Sequence, residues 1–192
     1  FLKLGKIFGL KIAVILTDGS EPIGNGIGPI LEIKDIFKVL KRSKDAPRDL
    51  EEKSLILSGE LLELAGKAKK SKGIKLAREI LESGKAFEKF KQIIKAQHGH
   101  LDGLPRANFS LEIKSKRKAK IIHIDNHLIN KIARFAGCPE DKTAGIYLHK
   151  KKGDIVEKRG DIMTIYAASE EKLKQAKNLY NNLKKKVIEF SR

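Results

Sequence analysis

"KIIHIDNHLINKIARFAGCPEDKTAGIYLHKKKGDIVEKRGDIMTIYA", residues 120–167, decides how the second half of this chain folds. It opens, with Ala119, on "AKIIHI", a short β-branched run that reads as a strand. Asp125 or Asn126 then caps a helix whose Leu128, Ile129, Ile132 and Phe135 share a face, and Gly137 with Pro139 stops it. "GIYLHKKKGDIVEKRGDIMTIYA" follows as a strand, a turn at Gly153-Asp154, a short strand, a turn at Gly160-Asp161 and a further strand. Glu170 to Val187 closes the unit as a helix with Leu173, Ala176, Tyr180, Leu183 and Val187 inward. Residues 105–192 are therefore expected to form a small α+β C-terminal subdomain.

Working outward, "QHGHLDGLPRANFS" (97–110) carries the Gly, Pro, Asn and Ser content of a linker. Before it, Ile74 to Leu81 and Phe87 to Ala96 have helical spacing, as does a segment capped by Asp49 with Leu50, Ser54, Leu57, Leu61 and Leu64 inward and Gly66 at its end. At the start lies "IAVILTDGSEPIGNGIGPILEIKDIF" (12–37), which puts four glycines and two prolines between an apolar run and an amphipathic helix. "KIAVIL" reads as a buried strand, and Pro29 suits the first turn of a helix carrying Ile30, Ile33, Phe37 and Leu40. The expected fold class is α/β: a strand and helical layer of a mixed-sheet domain over 1–104, then the α+β subdomain. Leu4, Phe8 and Lys11 share helical spacing without an N-cap, so the chain is expected to begin inside an element of a longer polypeptide.

A strand, a glycine-rich loop and a helix can cradle phosphate, because glycines let backbone N–H groups approach an anion. Gly24, Gly26 and Gly28 alternate at two-residue steps, however, and match neither GxxxxGK[ST] nor GxGxxG. The composition is globular, 41% hydrophobic and 34% charged, with a formal charge of +17 that directs attention to anionic partners. Cys138 is the sole cysteine, which excludes an internal disulfide and fits a reducing, cytoplasmic setting. No apolar run reaches the length of a bilayer span.

Three blocks, "LTDGSEPIGNGIGPILEIKDIF", "AREILESGKAFEKFKQIIKAQHG" and residues 121–167, together resemble the latter part of the thymidine, pyrimidine-nucleoside and AMP phosphorylase family. "TDGS" before "EP" is similar to AMP phosphorylases, whereas the nucleoside enzymes usually carry Met where Gly19 stands. The resemblance implies phosphorolysis, with inorganic phosphate as co-substrate attacking the anomeric carbon of a nucleotide. The products for AMP would be adenine and ribose 1,5-bisphosphate. It also implies a cytoplasmic homo-oligomer, a dimer, completed by an N-terminal remainder that supplies the phosphate-cradling and base-reading groups. No catalytic residue is then assigned within this chain, which alone should be inactive. Thymidine or pyrimidine-nucleoside phosphorolysis is the alternative.

The resemblance also implies site residues. Thr17, Asp18 and Ser20 would form a substrate-proximal loop. Ile23 and Gly26 would offer carbonyls, and Asp35 a carboxylate, to a monovalent cation such as K⁺. Relatives tend to carry Glu where Asp35 stands, and the other reading of Asp35 is a solvated helix residue paired with Lys34 or Lys38. His98, His100, His123, His127 and His149 complete no zinc spacing. Lysine clusters at 67–75, 114–120 and 184–186 raise a basic nucleic-acid-binding module as the non-enzyme alternative, disfavoured by 6% aromatic content and no Trp. The Gly-Asp turns look like the hammerhead of biotinyl and lipoyl carriers, but Lys152 lacks the Met or Asp setting of a modifiable lysine.

Overall fold

The computed structural model describes residues 1–101 and 103–191; Asp102, inside the expected linker, and Arg192 lie outside the described residues. In chain order the elements are α1 (Leu2–Ile7), β1 (Gly26–Ile27), α2 (Pro29–Leu40), α3 (Arg48–Leu64), α4 (Gly73–Glu82) and α5 (Lys85–Ala96). They continue with β2 (Phe109–Lys114), β3 (Ala119–Ile124), α6 (Asn126–Phe135), β4 (Gly145–Leu148), β5 (Ile155–Val156), β6 (Asp161–Ala167), α7 (Glu170–Val187) and β7 (Ile188–Phe190). The fold class is the α/β one read from the sequence. The chain divides into two units, one of residues 1–18 and 37–102, the other of 19–36 and 103–192. No helix among the described residues is long and apolar enough to cross a membrane.

The first unit is helical. Val39, Leu55, Ala77 and Leu81 form its buried centre, with Leu40, Ala46, Leu50, Leu62 and Ala86 packed around them. The inward face of α3 departs from expectation. Leu55 and Gly59 are buried, whereas Leu57 and Leu61 are exposed. The cause is a close helix crossing: a Cβ on Gly73 of α4 would lie 2.0 Å from the Gly59 carbonyl oxygen, so the two glycines let the backbones touch and draw that face inward. Phe37 stacks edge-on to Phe87 and Phe90, at centroid distances of 6.4 and 5.8 Å.

The buried strand expected at residues 11–16 is not formed. The segment belongs to no helix or strand, and Leu16 is 95% exposed. A consecutive apolar run becomes a buried strand only where ladder partners and covering layers flank it. Among the described residues no strand pairs with it. The expected packing of the helices on an opening sheet fails for the same reason.

The second unit has two antiparallel sheets, ordered β1-β4-β6-β2 and β5-β3-β7. Ile121, Ile124, Ile129, Ile132, Ile146 and Ile165 are essentially inaccessible and lie in one cluster with Leu148, Met163, Val187 and Ile188. Each such side chain contributes roughly 1.5–3 kcal/mol on burial, which makes this cluster the main driving force of the unit. The cap read at Asp125 forms, accepting from the Leu128 amide at 2.8 Å, and the structure adds one at Ser169, which accepts from that of Lys172 at 3.2 Å. Along α7, Ala176 and Val187 are fully buried, with Leu173, Tyr180 and Leu183 packed on the core, the expected face. Three strands escaped the sequence reading. β1 and β7 have two and three residues, and β2 begins inside the stretch read as linker.

Candidate functional site

The glycine loop answers to close packing as much as to any ligand. A Cβ on Gly26 would sit 2.5 Å from the Leu31 carbonyl carbon and oxygen. Gly28 has φ +127° and would collide with the Ala144 carbonyl oxygen at 2.5 Å. These two positions tolerate no side chain. Between them β1 pairs with β4, matching Gly26 to Tyr147 and Ile27 to Ile146. The Leu148 amide extends this pairing to the Asn25 carbonyl at 2.7 Å.

Asp35 stands behind the loop, on the buried stripe Leu31-Asp35-Val39 of α2. It is 1% exposed, so the solvated reading of this residue is overturned. Lys38 pairs instead with Asp45 at 2.7 Å and holds that exposed carboxyl below its ordinary range. Asp35 Oδ2 accepts the Asn25 and Gly26 amides at 2.6 and 2.7 Å. Its other oxygen, Oδ1, is buried and has no hydrogen-bond partner among the described residues. A buried carboxylate oxygen without a donor is costly, since the charge has left water without full compensation. Through Oδ2 the short Asp35 side chain reaches the loop backbone directly.

Lysines and a histidine of the second unit tie the loop down. Lys151 Nζ donates to the Pro22 carbonyl at 2.8 Å and also to that of Gly24. Glu21 Oε1 meets His123 Nδ1 at 3.0 Å and Lys152 Nζ at 3.1 Å. Sequence reasoning missed all of these partners. They come from β3 and the β4–β5 turn, more than 100 residues away, and no local spacing encodes them.

The remaining expected residues separate. Thr17 and Asp18 fall in the first unit, and Ser20, Ile23, Gly26 and Asp35 in the second. Thr17, Asp18 and Ser20 are exposed. The Asp18 carbonyl accepts from Lys53 Nζ at 2.8 Å, and the Gly19 carbonyl from Asn126 Nδ2 at 3.3 Å. At the far end of α6, burial pushes the Cys138 thiol up, with Glu32 and Glu140 adding to the effect, which disfavours a reactive thiolate.

Comparison with known proteins supports the resemblance. Residues 120–186 match the pyrimidine nucleoside phosphorylase C-terminal domain. The AMP phosphorylase of Methanococcus aeolicus is 45% identical over 181 residues, 93% of this chain, and that of Methanosarcina mazei 44% identical over 179 residues, 91% of this chain. A Legionella pneumophila (strain Corby) protein named "Putative thymidine phosphorylase" is 41% identical over 186 residues, 97% of this chain. The chain spans about a third of the length of these relatives, 36% for the Methanococcus and Legionella proteins and 35% for the Methanosarcina one. The family recognised in the sequence is thus the family of its relatives, and its kinship is with phosphorylases.

Proposed function

We propose that this relative of the AMP and thymidine phosphorylases is the C-terminal portion of an enzyme that cleaves the N-glycosidic bond of AMP, or another nucleoside 5′-monophosphate, with inorganic phosphate. A phosphate oxygen bonds to C1′ as the bond to the base breaks. The bonding pair leaves on the base nitrogen, which takes up a proton, and ribose 1,5-bisphosphate remains. Such a step needs cationic or N–H donors around phosphate and a proton source for the base. The observation that carries the reading is the 45% identity to an AMP phosphorylase across 93% of the chain. Similarity to the Legionella protein, at 41%, keeps thymidine or pyrimidine-nucleoside phosphorolysis as the second reading.

Within this reading the chain supplies a wall. Its exposed Thr17, Asp18 and Ser20 form the substrate-proximal loop, and the donors for phosphate and base belong to the remainder of the enzyme. The buried Asp35 Oδ1, without a donor among the described residues, fits a monovalent cation held by that carboxylate with the Ile23 and Gly26 carbonyls. The cation would balance the carboxylate charge and stiffen the loop; its chemistry is electrostatic only.

The test is release of free base from AMP, uridine and thymidine with phosphate by the complete polypeptide containing these residues. Adenine release, faster than release of uracil or thymine, supports the reading. Preference for a nucleoside moves the assignment to the second, and no release from any of them overturns both.

A further inference from the structure

A cavity of about 580 Å³ opens in the second unit between β2, α7 and β7, within the size range of small-molecule sites. Its floor is apolar: Ile113, Ile162 and Ile188 are buried, and Leu111, Tyr180 and Phe190 are half-buried. Its rim is cationic. Lys116 comes from the β2–β3 turn, and Lys177, Lys184 and Lys185 from α7, where Lys177, Asn181 and Lys184 repeat on one helical face. None of these four lysines has a carboxylate partner among the described residues. The remaining cations are engaged: Lys114 bridges Glu112 at 2.9 Å and Asp161 at 2.8 Å, and Arg117 donates to the Ser191 carbonyl at 2.9 Å. Tyr180 and Asn181 also line the cavity, and neither side chain has a hydrogen-bond partner among the described residues.

We infer that this groove binds a nucleoside polyphosphate, with its ring system on the isoleucine floor and its phosphates among these four lysines. Charge decides the class. A lone carboxylate, as on an acyl chain, would leave most of the ammonium groups unneutralised, whereas a triphosphate brings several negative charges on one short chain. The floor decides the rest, since inorganic polyphosphate would leave this apolar surface in water. A nucleic-acid strand is less suited, because the cations converge from two elements on one cavity rather than forming a track with stacking aromatics. The inference does not depend on the phosphorolysis reading, as binding is measured directly.

The test is calorimetric titration of the 192-residue chain with ATP at low salt, beside tripolyphosphate, adenosine and a single-stranded oligothymidylate. Isoleucine-methyl NMR reports where each binds. The expected result is that ATP binds more tightly than either of its parts and shifts the methyls of Ile113, Ile162 and Ile188. The doubly substituted Lys184→Glu/Lys185→Glu chain, altered only at exposed positions, should lose affinity on the order of tenfold or more with unchanged circular dichroism. The single Lys177→Glu variant, on a different turn of α7, should weaken binding in the same direction. The inference is overturned if tripolyphosphate binds as tightly as ATP, if these methyls do not move, if the charge reversals leave affinity unchanged, or if the oligonucleotide is the tighter ligand at the same methyls.

Discussion

A carboxylate that is 1% exposed, with one oxygen taking two amides and the other taking no donor among the described residues, concentrates uncompensated charge at Asp35. Asp35→Ala should cost about 2–4 kcal/mol in chemical denaturation, because it orphans the Asn25 and Gly26 amides. Asp35→Asn keeps an acceptor for them but no charge. Potassium should raise the Tm of the native chain relative to a bulky organic cation at equal ionic strength, and Asp35→Asn should abolish that increment. No potassium response in the native chain would remove the cation from the account. Asp141 gives a pH prediction. The Thr143 hydroxyl and amide bond its carboxylate at 2.6 and 2.7 Å and hold its pKa below the ordinary 3.8. A carboxyl so depressed adds stability that is full above 3.8 and is lost as pH falls from there through the lower folded value. Thr143→Ala should reduce stability by about 1 kcal/mol at neutral pH and flatten this acid dependence. The sequence named Asp35 and its loop, but its burial was not legible. Periodicity favoured a stripe through Ile33 and Phe37, whereas the deepest one, Leu31-Asp35-Val39, has a charge in its middle.

Elements were legible where local chemistry set them and obscure where contact did. The cap at Asp125, the Gly-Asp turns and the apolar face of 170–187 carry their own signals, so α6, α7, β5 and β6 fall where the pattern puts them. The inward face of α3 does not follow from its leucines, because the Gly59–Gly73 crossing overrides hydrophobic spacing. Gly73→Ala should therefore destabilise the first unit by about 1–3 kcal/mol through overpacking, although alanine is the better helix former. Stabilisation by that substitution, measured in urea, would refute the crossing. β2 was obscured because Asn108 and Ser110 imitate loop composition, while Phe109, Leu111 and Ile113 alternate as the half-buried strand that forms.

At the scale of the whole molecule, the described residues display an apolar segment at 11–16 with no partner strand among them, a packed α+β unit and a glycine loop tied to a buried carboxylate. The family was readable because three separate blocks occur in order, and similarity to AMP phosphorylases over 93% of the chain agrees with it. The proposed reading assigns the donor set that phosphorolysis requires to the remainder of the enzyme, since these residues cover 36% of such a relative. The most direct measurement is adenine release from AMP and phosphate, followed for the complete polypeptide and for the 192-residue chain side by side. The account predicts turnover by the first and none by the second; turnover by the short chain alone, or none from AMP by the complete protein, would contradict it.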